Sequence, residues 1–140
     1  MNNSSSPTHI IDKSAWIEIQ EGKILMARSH GKDIFYIPGG KRESGESDTQ
    51  ALIREIQEEL SVELLPDSII LLEVFQAQAH GQAEGVEVKM QCYSGVYQGT
   101  LQPAAEIESL DWFTYSDVTR VGPVDKLIFR WLHKQNLLSD

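Results

Sequence analysis

The chain of 140 residues has little of several features that mark other classes of protein. It carries one cysteine, Cys92, so an internal disulfide cannot form and a reducing cytoplasm is the expected compartment. No apolar run approaches the roughly 20 residues that a membrane helix needs. The first seven residues lack the basic start and apolar stretch of a signal peptide. We therefore expect a cytoplasmic protein that does not contact a membrane.

Basic residues are also scarce, since 12 lysines and arginines stand against 21 acidic residues, which gives a formal net charge of −9. Such a surface repels phosphate backbones, so we expect no nucleic-acid partner. The acidic residues are unevenly spread, and six of them lie between Glu43 and Glu59. If this segment meets a phosphorylated small molecule, positive charge has to lie between the two.

The length and composition predict one folded domain. Hydrophobic residues make up 41% of the chain and charged residues 24%, as in ordinary globular proteins. A chain of this size buries enough surface to fold without a metal or disulfide. We expect a polar, disordered tail over residues 1–8 and a single domain over residues 9–140.

Most strand signals come from short β-branched and apolar runs bounded by turn residues. Glu21-Gly22 indicates a hairpin between the first two strands, and 80–85 is expected to be the loop of a second hairpin. Apolar residues alternate along the later strand, which predicts one buried face containing Val88, Met90, Cys92 and Val96. The predicted strands are 9–19, 23–28, 34–37, 69–79, 86–97 and 109–113.

Two helices are predicted. Ser47 and Gln50 have the spacing of a capping box, and an apolar stripe follows at Leu52, Ile56 and Leu60, so the first helix is expected over 48–60. The second begins after Gly122, because proline suits the first turn of a helix. Its apolar stripe predicts packing against a sheet and consists of Val124, Leu127, Ile128, Trp131 and Leu132.

Three acidic residues of the first helix share one face. Glu55, Glu58 and Glu59 are spaced at i, i+3 and i+4, and this face borders the apolar stripe. Like charges at this spacing repel, whereas a divalent cation would turn the repulsion into coordination. Oxygen ligands on a rigid helix suit Mg²⁺ or Mn²⁺. The alternative interpretation of these glutamates is a solvated helix face without a ligand.

The wider spacing around these acids resembles a family signature. Five residues separate Gly40 from Glu46, and seven more lead to the run Arg54-Glu55-Ile56-Gln57-Glu58-Glu59-Leu60-Ser61-Val62. This resembles the box of the Nudix (MutT-type) hydrolases, G-x5-E-x7-R-E-U-x-E-E-x-G-U, in which U is a bulky aliphatic residue. Eight of the nine specified positions match, and the exception is Ser61 in place of glycine. That serine puts the geometry of the helix exit in question.

The resemblance implies an α/β/α sandwich, in which a mixed β-sheet lies between the box helix and a C-terminal helix. It implies a Mg²⁺- or Mn²⁺-dependent hydrolase that cleaves a phosphoanhydride of a nucleoside diphosphate linked to another moiety. Glu55, Glu58, Glu59 and the backbone carbonyl of Gly39 would be the metal ligands. Arg54, with Glu46, would hold the carboxylates in place. The expected catalytic residues of the box are Glu55, Glu58, Glu59 and Arg54.

A further catalytic carboxylate often comes from a loop ahead of a late strand that bears tryptophan. Glu106, in the segment before Asp111-Trp112, is the expected residue. The general base is either Glu106 or one of the box glutamates. The alternative function is a non-catalytic ligand sensor with the same fold, although such modules are expected to lose box carboxylates. The nucleotide that is bound and the oligomeric state, including a homodimer, stay open.

Overall fold

The computed structural model describes residues 7–140. The expected polar tail lies largely outside these residues, and within the described part Thr8 donates its backbone N–H to the carbonyl of Gly85. Nine strands and two α-helices follow. They are β1 (His9–Trp16), β2 (Ile19–Gln20), β3 (Lys23–Ser29), β4 (Gly39–Gly40), α1 (Asp48–Leu60), β5 (Glu63–Leu64), β6 (Ile70–Gln78), β7 (Val86–Ser94), β8 (Tyr97–Gln98), β9 (Ile107–Phe113) and α2 (Pro123–Lys134). No helix in the described part of the chain is long and apolar enough to cross a membrane.

The strands form a mixed sheet layer between the two helices, as expected. One sheet has the order β4-β1-β7-β6, in which β1 and β7 are parallel and the other neighbours antiparallel. A second sheet has the order β2-β3-β9, and β5 pairs with β8. The alternation of side chains along β1 sends Trp16 towards α1, while Ala15 packs in the core beneath α2.

Helix α1 occupies the predicted residues. Ser47 accepts a hydrogen bond from the backbone of Gln50 while the Gln50 side chain accepts one from the backbone of Ser47, so the predicted capping box is present. The apolar stripe of Leu52, Ile56 and Leu60 is fully buried against Trp16 and Leu25. This burial fixes the rotation of α1 about its axis and thereby aims its acidic face.

The predicted hairpin at Glu21-Gly22 is present but shorter than expected, and β1 takes no part in it. β1 pairs along its length with β7, and its Ser14 and Ala15 pair on the other edge with β4. The chain leaves β1 after Trp16, and only the two residues of β2 form the hairpin with β3. The turn at Glu21-Gly22 is present, with positive φ at both residues.

Three smaller expectations also need correction. Residues 34–37 do not form a strand but make two isolated bridges, Ala27 with Tyr36 and Phe35 with Val121, before Pro38 removes a backbone donor. Val96 is 58% exposed because β7 ends at Ser94. In α2, Trp131 is only partly buried and packs edge-on against Phe75. The buried face of that helix instead consists of Val124, Asp125, Ile128, Phe129 and Leu132.

Candidate active site

The three box glutamates of α1 differ sharply in exposure. Glu59 is 3% exposed, next to the buried Leu60, whereas the side chain of Glu58 is 54% exposed. Glu55 lies between these extremes, with a side chain that is 19% exposed. The acidic face therefore runs from solvent into the core, and it is not a uniformly solvated face.

Arg54 uses four of its five N–H groups to bind the acidic side chains around it and the fifth to bind a backbone carbonyl. Its Nε and Nη2 atoms donate to the two carboxylate oxygens of Glu46 at 2.7 and 2.9 Å, in a bidentate pair. Its Nη1 atom donates to Glu55 at 3.0 Å and Glu58 at 3.2 Å. The remaining donor reaches the backbone carbonyl of Lys41 at 3.1 Å. Arg54 thus has no N–H left for a substrate and acts by orienting its neighbours.

The two glycines of β4 bring the backbone against this acidic face. Gly39 has a φ of +150° and lies so close to the backbone of Ser14 that a side chain would collide with it. A Cβ atom at Gly40 would overlap the carboxylate of Glu55. Glycine at both positions therefore lets the main chain approach Glu55 and Glu59 directly.

Glu106 reaches the same face from the other side of the cleft. The preceding residue, Ala105, adopts a left-handed φ of +54°, and the carbonyl of Glu106 accepts a hydrogen bond from the backbone of His30 at 2.9 Å. The carboxyl group of Glu106 is within hydrogen-bonding reach of Glu59. The neighbouring acid, Glu108, points away and pairs with Arg28 at 3.0 Å.

This arrangement leaves Glu59 short of positive charge. Burial, together with the negative charges of Glu55 and Glu106, raises the pKa of Glu59 to about 8, against the opposing effect of the Gly39 backbone amide. Burial and a hydrogen bond with Glu58 likewise raise the pKa of Glu55. In contrast, the Arg54 guanidinium lowers the pKa of Glu46 to about 2. The charge imbalance is thus centred on Glu59 and not on the outer acids.

A cleft of about 860 Å³ opens over these residues. Its walls include Glu55, Glu59, Glu106 and Gly39, while Glu58 lies outside them. Besides Arg54, four cationic side chains line the cleft, namely Lys13, Lys32, Lys41 and Arg42. The cleft therefore places cationic side chains beside carboxylates in a protein whose net charge is strongly negative.

The sequence comparison decides the family. Residues 12–132 match the model of the NUDIX domain, which is 86% of the chain. The chain belongs to the Nudix family. Nudix hydrolases generally use divalent metals to cleave nucleoside diphosphate-linked moieties, and this chain is accordingly a Nudix hydrolase.

Solved structures of other proteins resemble this one over most of its length. The E. coli ORF135 protein is 27% identical, with a TM-score of 0.72 and coverage of 91% of each chain. A MutT Nudix hydrolase from Burkholderia pseudomallei is 24% identical, with a TM-score of 0.69 and coverage of 86% of this chain and 95% of the other. A UDP-X diphosphatase is 18% identical, with a TM-score of 0.67 over 94% of this chain and 66% of the other. No curated protein matches the chain.

The chemistry of the donor set fits the divalent cation that Nudix hydrolases use. Glu59 Oε1 is buried and has no hydrogen-bond partner among residues 7–140, and the carboxylates of Glu55 and Glu106 beside Glu59 also offer only oxygen atoms. Among the same residues, no three His, Cys, Asp or Glu side chains are arranged so that they could hold a metal ion together. The reason is visible in the ion pairs, since Glu55 and Glu58 are both turned towards Arg54.

The departure from the Nudix box at Ser61 leaves the helix exit unchanged in shape. Ser61 adopts the left-handed conformation, with φ 67° and ψ 18°, that the box glycine would favour. Its backbone N–H donates to the carbonyl of Gln57, and its hydroxyl donates to the carbonyl of Gln102 at 3.1 Å. The second bond ties the end of α1 to the segment that leads to Glu106.

Sequence reasoning missed a second cavity, which adjoins the cleft and has a volume of about 210 Å³. Apolar residues including Phe35, Val88 and Met90 line it, and the fully buried Asp125 lies among them. Asp125 Oδ2 accepts a hydrogen bond from the backbone of Ile37 at 3.3 Å, but Oδ1 has no partner among the residues described. The signal was present in the sequence, because Asp125 falls in phase with Ile128, Phe129 and Leu132.

Proposed function

We propose that this Nudix hydrolase cleaves a phosphoanhydride bond in a nucleoside diphosphate that is linked to another moiety, with Mg²⁺ or Mn²⁺ as its cofactor. The observation that carries the proposal is the position of Glu59, buried beside Glu55 and Glu106 at the floor of an open cleft. The negative charges of Glu55 and Glu106 raise the pKa of the buried Glu59, and a bound cation would relieve this repulsion. In this proposal Glu55, Glu58, Glu59 and the carbonyl of Gly39 hold the metal.

The cleft and the adjoining cavity, which we call the apolar chamber, suggest how a nucleotide is placed. The diphosphate fits the cleft, because its charge is matched by the cationic lining and by a metal over the acidic face. The base fits the apolar chamber, where Phe35 offers an aromatic surface and Asp125 Oδ1 offers an unused acceptor. The two cavities adjoin, because Lys13, Ile34 and Tyr36 line both.

The proposed chemistry is direct attack of water on phosphorus. When bound, the metal supplies charge neutralisation at the phosphates and lowers the pKa of water. Glu59 or Glu106 accepts the proton of the attacking water, since both carboxylates lie at the floor of the cleft. Arg54 keeps Glu55 and Glu58 in position through its N–H groups. No covalent enzyme intermediate is needed, so positioning and electrostatics account for the rate.

The test is a screen of nucleoside triphosphates, oxidised nucleotides, nucleotide sugars, ADP-ribose and dinucleoside polyphosphates, scored for release of phosphate and pyrophosphate. We expect turnover of at least one class with Mg²⁺ or Mn²⁺, and loss of that turnover in excess chelator. Glu58→Gln and Glu59→Gln should each lower kcat by ~10²-fold or more, because they remove ligand charge while keeping side-chain size. Full activity in chelator would contradict the metal mechanism.

The same screen separates the enzyme from a ligand sensor of the same fold. A sensor would bind one of these compounds, measured by calorimetry, without hydrolysing it at any metal concentration. All box carboxylates are present here, which favours the enzyme. The proposal also keeps the cytoplasm as the compartment, where a chain with one cysteine needs no disulfide. It includes no nucleic-acid partner.

A further inference from the structure

Two hydroxyl groups meet on the wall of the active-site cleft. Ser29 Oγ and Tyr36 Oη are 2.6 Å apart, and both residues line the cleft with Glu55, Glu59 and Glu106. Tyr36 is fixed by a pair of backbone hydrogen bonds to Ala27, each 2.8 Å long. Ser29 is the last residue of β3, where the pairing with β9 shifts register. The position of the hydroxyl pair is therefore set by the main chain on both sides.

The hydrogen-bond count of this pair leaves one donor unused. Two hydroxyl groups bring two hydrogen atoms, and their mutual bond uses one of them. Neither side chain makes another hydrogen bond within the part of the chain that the structure describes. Either hydroxyl can donate in this geometry, but a phenol is the stronger donor and the weaker acceptor, so the arrangement in which Tyr36 donates to Ser29 is favoured and leaves the free hydrogen on Ser29. A donated bond also polarises the hydroxyl that receives it and strengthens its own donation.

An unused neutral donor is rare on this wall of the cleft. The neighbouring carboxylates of Glu55, Glu59 and Glu106 can only accept when ionised. All five N–H groups of Arg54 are already bonded to protein oxygens. A charged donor in this position would pair with a carboxylate and block it, whereas a hydroxyl does not. The geometry thus offers a donor that leaves the acids available.

Resting on the proposed function, we propose that the Ser29 hydroxyl donates a hydrogen bond to a phosphoryl oxygen of the bound diphosphate. Ser29 is then a catalytic residue that touches the substrate. Tyr36 is a positioning residue, which orients the Ser29 hydroxyl and acts only through it. A donor aimed at an oxygen on which charge grows during attack contributes more to kcat than to substrate binding.

Three variants test this division of roles on the best substrate from the screen. Ser29→Ala should lower kcat by ~10- to 30-fold with a change in KM below about threefold, because the lost bond strengthens in the transition state. Tyr36→Phe should lower kcat by only ~3-fold, since Ser29 keeps its hydroxyl but loses its orientation. The double variant should match Ser29→Ala, because Tyr36 has no effect of its own to lose.

Rescue and control variants separate this role from a structural one. Ser29→Thr keeps the hydroxyl and should restore kcat to within about threefold of wild type. Ser116→Ala removes a hydroxyl from the Thr114–Ser116 pair, which is 2.8 Å apart and lies outside the cleft lining, so its kcat should be unchanged. Thermal unfolding of all variants checks that the fold is intact.

A binding measurement keeps the inference testable if no substrate is turned over. Calorimetric binding of inorganic pyrophosphate in Mg²⁺ should be about 3- to 10-fold weaker for Ser29→Ala than for Ser29→Thr. Lack of turnover in wild type with this difference preserved would contradict the proposed function alone. Wild-type kcat in Ser29→Ala, or equal pyrophosphate affinities in the two variants, would overturn the inference. A larger kcat loss in Tyr36→Phe than in Ser29→Ala would overturn the assignment of roles.

Discussion

At the scale of the residue, burial and neighbouring charges set the pKa values of the acidic side chains in the site, and sequence spacing alone does not. Glu46 and Glu59 are both box acids, yet the pKa of Glu46 is lowered to about 2 and that of Glu59 is raised to about 8. The difference follows from their neighbours, because Glu46 receives two N–H groups of Arg54 whereas Glu59 faces Glu106. Glu46 is thus ionised at neutral pH, while the raised pKa of Glu59 favours its protonated form there in the absence of a cation.

Glu106 provides the residue-scale prediction. If Glu106 is the general base, Glu106→Gln should lower kcat by ~10²-fold and flatten the low-pH limb of the rate profile, with metal affinity unchanged. If it is a metal ligand, the same change should raise the metal concentration for half-maximal rate, and added Mg²⁺ should recover part of the activity. Kinetics against pH and against Mg²⁺ distinguish these outcomes.

Glu108 gives the matched control, since it lies two residues further along the chain, in β9, and pairs with Arg28 outside the cleft lining. Glu108→Gln should leave kcat and the metal requirement within about twofold of wild type. Unchanged kinetics in Glu106→Gln as well would remove Glu106 from the mechanism, and the base would then lie among the box glutamates.

At the scale of the element, α1 combines a well-made beginning with a strained end. Its first turn is closed by the Ser47–Gln50 capping box, and its apolar stripe is fully buried. Its end relies on Ser61 in a left-handed conformation that costs a non-glycine residue about 1 kcal/mol. The hydroxyl of Ser61 offsets part of this cost through its bond to Gln102. The same residue, Ser61, therefore has both the strained backbone and the hydroxyl that partly offsets its cost.

Substitution of Ser61 can separate the two contributions. Ser61→Ala keeps the strain and loses the hydrogen bond, so it should destabilise the protein by about 1 kcal/mol. Ser61→Gly loses the bond but removes the strain, so its free energy of unfolding should lie within about 0.5 kcal/mol of wild type. Urea denaturation measures both. Equal destabilisation by alanine and glycine would show that the conformation at Ser61 carries no cost.

At the scale of the whole molecule, the fold places two cavities of different polarity side by side. The cleft lies over the acidic face of α1, and the apolar chamber lies beside the first turn of α2, where Asp125 is buried. Burial raises the pKa of Asp125 to about 7, against the opposing effects of the Ile37 backbone amide and the charge of Lys13. Because the pKa in the folded state exceeds that in the unfolded state, ionisation of Asp125 opposes folding.

The sign of this effect gives a stability prediction. Between the unfolded pKa of 3.8 and the folded pKa of about 7, the folded state binds more protons, so stability falls as pH rises through this window. Asp125→Asn removes that titration. In chelator, the free energy of unfolding of Asp125→Asn minus that of wild type should increase by ~4 kcal/mol from pH 4 to pH 8. Urea denaturation across this range measures it, and a difference independent of pH would contradict the raised pKa.

The sequence by itself determined the features that depend on local spacing. The bounds of α1 follow from the Ser47–Gln50 cap and a stripe of period 3.6, and the family follows from the spacing between Gly40 and Val62. The hairpin of β6 and β7 follows from two alternating runs around one turn. In each case the interacting residues are close in the chain, so their physical chemistry can be evaluated without the rest of the fold.

Only the tertiary structure decided which distant segments share an edge or a cavity. The partners of β1 are β4 and β7, and no local pattern in His9–Trp16 distinguishes them from β3. The hydroxyl pair of Ser29 and Tyr36, and the placement of Glu106 beside Glu59, likewise depend on strand registers between segments far apart in sequence. The unpartnered Oδ1 of Asp125 belongs to this class too, because the helical phase indicates burial of Asp125 but only its packed surroundings determine which of its oxygens finds a donor.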